Sequence, residues 1–200
     1  MNRLLVLFLA LLSVALCGCG RASVRKLGPD AVVVAFGDSL TAGTGAEDSE
    51  SYPAVLAALL GVTVKNEGQP GEVTAVGVAR LPRVLREHSP DLVILCHGGN
   101  DFLQRADDAS VERNLQAMVD ASREAGADVI LLGVPRPGLL LRAPALYEDV
   151  ARRNGIPCDV KTLPKILSTP SLKSDAVHPN AEGYRVLAGR VAELIRRSEK

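Results

Sequence analysis

The chain has no tryptophan and only three tyrosines and three phenylalanines in 200 residues. Flat aromatic faces of the kind that stack on sugar rings are therefore scarce. Net charge is absent as well, since 23 lysines and arginines balance 23 aspartates and glutamates. With no basic field and no block of one sign, nothing marks nucleic acid as a partner. There are three histidines and four cysteines, and their spacing is not that of metal ligands, so no metal site is expected. A Gly-Lys-Ser/Thr pair and a G-x-G-x-x-G are both missing, which removes the usual phosphate-cradling loops. A G-x-S-x-G elbow is missing too. Internal repeats and low-complexity tracts are absent.

Long apolar runs are also lacking. The longest, Leu4 to Leu16, follows Arg3 and is shorter than the roughly 20 residues of a spanning helix, so it reads as an export signal. It ends in "LCGC", with Leu16 and Gly18 at the third and first positions before Cys19, and this resembles the lipobox of bacterial lipoproteins. That resemblance implies a signal peptide over residues 1–18, Cys19 as the lipidated mature N-terminus, and a tether over 19–30 ahead of a domain at 31–198. Localisation would be the bacterial cell envelope, lipid-anchored at a membrane facing the periplasm. An ordinary cleaved signal is the alternative, giving a periplasmic or secreted protein. Cys96 and Cys158 remain in the body of the chain. Both fall in strand-like runs two strands apart, roughly 9 to 10 Å and beyond disulfide reach, so two buried thiols are expected.

Five strand-like runs alternate with helical ones: "AVVVAFG", "VTVKNEG", "DLVILCHG", "ADVILLGVP" and "IPCDV". Continuous apolar runs indicate strands covered on both faces, hence a parallel sheet with crossover helices. Val111, Leu115, Met118, Val119 and Ser122 recur at helical spacing, as do Tyr184, Leu187, Ala188, Val191 and Ile195, and these stripes are packing faces. "TAVGVARLPRVLREHS" is helical by period, with Pro82 expected to kink or divide it. The architecture that follows is a three-layer α/β/α sandwich, with its crevice at the carboxyl ends of the strands.

Ser39 stands at that edge, directly after the first strand in "GDSLTAG". A tight turn into a helix there exposes Oγ and aims backbone N–H groups at a developing anion. A serine nucleophile needs a base. His88, in "LREHSPD", reads as a solvated or C-terminal-turn histidine, and His97, beside "GGND", as a wall of the crevice. His178 is the candidate, because Asp175 lies three residues before it, and one loop then supplies an imidazole and the carboxylate that fixes its tautomer. Asp38 and Asp101 read as loop braces.

"GDSL" after strand one, Gly71 in "NEGQPGEVT" after strand two, "GGND" after strand three and "DAVHP" before the terminal helix all fall on the strand-end side of the same sheet. Together they resemble the SGNH hydrolases, the GDSL family of lipases and esterases, across essentially the whole mature chain. "VARLPRVL" and "LYEDVAR" are similar to the family's periplasmic thioesterase, lysophospholipase and arylesterase branch. The resemblance implies a flavodoxin-like five-stranded parallel sheet and a serine esterase acting through an acyl-enzyme. In that scheme Ser39 is the nucleophile, His178 the base and Asp175 its orienting partner. The Ser39 and Gly71 backbone N–H groups and the Asn100 side chain would form the oxyanion hole. His97 departs from the family, which carries an aliphatic residue before "GGND". Hydrolysis needs only water, so no cofactor is expected.

Three successive leucines, Leu139, Leu140 and Leu141, lie between Arg136 and Arg142. They read as an acyl-binding wall with an arginine near an anionic head group, or else as packing for the helix that follows. The expected substrate is a small ester or lysolipid. A carbohydrate O-acetylesterase of the envelope and a non-catalytic envelope-binding lipoprotein on a hydrolase frame are the alternatives.

Overall fold

The computed structural model describes residues 22–138 and 140–200. The expected signal peptide, Cys19 and Leu139 lie outside them. The elements run β1 (Val32–Gly37), α1 (Ser39–Ala42), α2 (Tyr52–Leu60), β2 (Thr63–Gly68), α3 (Thr74–His88), β3 (Leu92–Cys96), α4 (Gly99–Leu103), α5 (Asp108–Glu124), β4 (Asp128–Leu132), α6 (Leu146–Asn154), β5 (Cys158–Asp159), α7 (Thr162–Ser168) and α8 (Ala181–Ser198). The five strands are all parallel, in the order β2-β1-β3-β4-β5. Helices α2 and α8 pack together on one face of the sheet, and α3 and α5 on the other. This is the three-layer α/β/α sandwich of the sequence analysis.

Burial follows the hydrophobic pattern. Every residue of β3 is buried, as its unbroken "LVILC" run requires of a central parallel strand. β2 is an edge strand with no buried residue, and Lys65 and Asn66 are exposed on it. The helical stripes face inward: Val111, Leu115, Met118 and Val119 on α5, and Tyr184, Leu187, Val191 and Ile195 on α8.

Three expectations are corrected. α3 is one helix through Pro82, so the chain is not divided there. Proline forfeits one hydrogen bond to the carbonyl four residues back, but Leu81, Val84 and Leu85 are buried around it, and tertiary packing of that face outweighs the loss. Cys96 is buried but Cys158 only half so, both as free thiols, and Cys158 lies on the short edge strand β5, with β4 between it and β3. Burial still pushes the Cys158 thiol up to about 12. Finally, the tether is not free as far as Asp30. Val24 is 3% exposed, and its backbone pairs with Ser198 and Lys200. Arg25 binds the Asp128 carboxylate and the Gly126 carbonyl. These contacts hold the entering chain against the amino ends of β3 and β4, the edge of the sheet away from Ser39.

Candidate active site

Ser39 is the first residue of α1, and Asp38 caps that helix by accepting from the Leu40 N–H at 3.0 Å. Asp38 is buried; its Oδ2 is without a hydrogen-bond partner among the described residues, and desolvation raises its pKa. The carboxylate thus braces the turn that presents the hydroxyl, as the sequence analysis expected.

His178 and Asp175 arrive from the loop between α7 and α8. Asp175 Oδ1 accepts from the Val177 and His178 N–H groups at 2.8 and 2.9 Å, and a bridge between Lys173 and Pro179 closes the loop. Asp175 Oδ2 lies 2.8 Å from His178 Nδ1, and His178 Nε2 lies 3.0 Å from Ser39 Oγ. The three side chains therefore stand in line across 139 residues of sequence. Desolvation acts to raise the Asp175 pKa, but the His178 ring and the two backbone N–H groups outweigh it and hold the carboxyl below its ordinary range. Contact between the two loops requires Gly45: a Cβ there would sit 2.2 Å from Ser174 Oγ and 2.5 Å from the Pro179 carbonyl. Tyr184 on α8 adds a 2.8 Å hydrogen bond to the Thr44 carbonyl.

Gly71 and Asn100 line the same cleft as Ser39 and His178. Gly71 has φ +80°, a left-handed conformation that favours glycine. One N–H of the Asn100 carboxamide donates to the Glu72 carbonyl at 3.0 Å, which leaves its second N–H for an oxygen in the cleft. Asp101 accepts from the Thr74 N–H and hydroxyl at 2.9 and 2.6 Å, so it ties the start of α3 to α4.

The cleft has a volume of about 510 Å³. Its apolar lining includes Leu40, Leu103, Val134, Leu141, Leu167 and Val177, and Lys173 is a cationic side chain among the lining residues. The leucine wall is corrected at Leu140 and Arg142. Leu141 lines the cleft, but Leu140 is 74% exposed and Arg142 faces solvent, its backbone bridged to Arg136. Arg136 pairs with Asp108 and lies over the Phe102 ring, so it secures the loop. Leu139 lies outside the described residues.

Of the other histidines, His97 differs from expectation: it is fully buried behind the cleft, with Nε2 3.0 Å from Glu72 Oε1. His88 stands in the last turn of α3, one of its two expected places, but is paired rather than solvated, its Nε2 2.7 Å from Glu67 Oε1. Sequence reasoning missed Glu72, Arg80, Lys173 and most apolar lining residues. Glu72 adjoins Gly71, and a carboxylate beside a candidate donor was the one available signal.

An open parallel sheet with a hydroxyl, an imidazole and a carboxylate in line at its carboxyl edge has the architecture of a carboxylic ester hydrolase of the SGNH type. The chain belongs to the GDSL-like lipase/acylhydrolase family, whose model matches residues 35–186. It is 30% identical to an arylesterase of Vibrio mimicus, over 82% of this chain and 87% of that protein. It is 26% identical to the thioesterase 1/protease 1/lysophospholipase L1 of Escherichia coli, over 86% of each chain. A crystal structure of TesA superposes with a TM-score of 0.77 at 28% identity, covering 83% of this chain and 98% of that one.

Proposed function

We propose that the chain hydrolyses carboxylic esters or thioesters through an acyl-enzyme on Ser39. The observation that carries this reading is the relay of 3.0 and 2.8 Å from Ser39 Oγ through His178 to Asp175 at the floor of an apolar cleft. Ser39 Oγ attacks the acyl carbon as its proton passes to His178 Nε2, and Asp175 steadies the imidazolium. The carbonyl oxygen, now an anion, takes hydrogen bonds from the Ser39 and Gly71 N–H groups and from Asn100 Nδ2. Collapse breaks the bond to the alcohol or thiol, which leaves with the His178 proton. Water then attacks the acyl-enzyme with the same proton traffic, releasing the acid and restoring Ser39.

The apolar lining favours an acyl chain over an acetylated sugar. Lys173, rather than Arg136 or Arg142, is the cation near an anionic ester such as a lysolipid. The relatives' names, arylesterase and thioesterase/lysophospholipase, support the reading. A fluorophosphonate should label Ser39 stoichiometrically, and p-nitrophenyl octanoate should be a better substrate than acetylated polysaccharide. No adduct together with no ester turnover would favour a binding protein instead.

We also propose that the protein is exported and lipidated on Cys19. The five Cα–Cα steps from Cys19 to Val24 reach at most about 18 Å, and Val24 is docked at the edge away from the cleft. The cleft then faces away from the anchoring bilayer. Mass spectrometry of the mature N-terminus tests the anchor: a diacylglyceryl Cys19 is expected, and an unmodified N-terminus would leave a soluble envelope protein.

A further inference from the structure

Behind the cleft lies a buried charged cluster for which the proposed mechanism has no use. Glu72, whose side chain is 2% exposed, accepts from Arg80 Nε at Oε2 and from Arg80 Nη2 at Oε1, both at 2.8 Å. His97, 0% exposed, completes the grip with Nε2 3.0 Å from the same Oε1. The His97 Nδ1 accepts from the Gly98 N–H, so Nε2 carries the proton and donates. Arg80 is itself fixed, by the Glu67 carboxylate and carbonyl and by the Phe36 ring 4.1 Å beneath its guanidinium carbon. Burying such charges is costly unless every partner is present.

The helix has made room for this arrangement. Gly77 occupies the interior of α3, where glycine costs about 1 kcal/mol relative to alanine. A Cβ at that position would lie 2.6 Å from His97 Nε2. The glycine is thus matched to the imidazole, and the imidazole to Glu72.

Residue 72 is where two of the three proposed oxyanion donors, Gly71 and Asn100, meet. Gly71 is the covalent neighbour of Glu72, the Glu72 N–H donates to the Gln69 carbonyl at 3.1 Å, and the Glu72 carbonyl orients the Asn100 carboxamide. We infer that Glu72 is a positioning residue for the oxyanion hole, clamped by Arg80 and His97 so that the Gly71 and Asn100 donors are fixed before substrate arrives. Donors held in place beforehand stabilise the developing anion without reorganising, and misplacement of about 1 Å costs on the order of 100-fold. The inference rests on the proposed role of Gly71 and Asn100, and its test separates the two.

Glu72→Gln keeps the side-chain volume but turns an amide NH2 toward Arg80 or His97, donor against donor. Steady-state kinetics on p-nitrophenyl esters, with competent sites counted by fluorophosphonate titration, should show kcat per site falling about 10- to 100-fold. KM should stay within about twofold, because the acyl wall is untouched. Asn100→Ala, the control, should lower kcat about 100- to 1000-fold. If Asn100→Ala does so and Glu72→Gln leaves kcat per site unchanged, Glu72 only supports the fold and the inference is overturned. If Asn100→Ala leaves kcat unchanged, the oxyanion assignment fails and the inference fails with it. Should Glu72→Gln not accumulate as folded protein, Arg80→Lys, which keeps the charge but loses the two-pronged grip, is read by the same kcat criterion.

Discussion

The two sides of the candidate site are held by opposite means. On the oxyanion side Glu72, Arg80 and His97 are buried or nearly so, and their contacts join β2, the loop after it, α3 and β3. On the base side the Asp175 side chain is 53% exposed, and its contacts are to residues two and three positions away. The division suits the chemistry. Donors that wait for a transient anion must not move, whereas an imidazole that exchanges protons with a substrate and with water works at the solvent boundary.

The comparison can be broken at several points, the severest first. Ser39→Ala should remove turnover by at least about 10⁴-fold while leaving thermal unfolding unchanged; residual activity above that level would place the chemistry elsewhere. Asp175→Asn should cost on the order of 10³-fold in kcat, because the amide no longer steadies the imidazolium, with little change in stability. A large fall in melting temperature would show that the exposed loop is more than locally held.

Acid should affect the two sides unequally. Burial acts to raise the Glu72 pKa, but the His97 and Arg80 contacts outweigh it and set it at about 2, against an ordinary 4.5. With the folded value depressed, the stabilisation is complete above pH 4.5 and is lost as pH falls toward 2. The difference corresponds to about 3 kcal/mol. Asp175 shifts in the same direction, but its exposure makes its share small. Urea unfolding between about pH 5 and pH 2.5 should therefore show a steeper loss for the native chain than for Glu72→Gln. Parallel curves would mean the clamp contributes nothing to stability.

Smaller effects separate neighbouring leucines. Leu141→Asp should raise KM for octanoyl esters about tenfold or more, and for acetyl esters far less. Leu140→Asp, at 74% exposure, should change either by less than about twofold. Equal effects at the two positions would show that the loop rearranges around substrate.

The order of strands and helices was legible because parallel strands buried on both faces need unbroken apolar runs, and β1, β3 and β4 have them. The candidate blocks were legible because three follow strand ends directly and the fourth precedes the last helix on the same side, where topology brings chain segments to one edge. The acyl wall was misjudged for a physical reason: "LLL" has no period, so nothing in it says which leucine faces inward. That Pro82 leaves α3 undivided was not legible, because a local rule does not weigh the long-range packing of Leu81, Val84 and Leu85.

By itself, then, the sequence determined the sheet, the candidate relay of Ser39, His178 and Asp175, and the family, all of which follow from patterns local to one element or from motifs in a fixed order. Only the tertiary structure decided that Glu67, Glu72, Arg80, His88 and His97 form one network, that Lys173 reaches the cleft, and that the entering chain docks opposite it. Those outcomes depend on which side chains of distant segments approach within hydrogen-bonding distance, and such distances are set by the packing of the whole core.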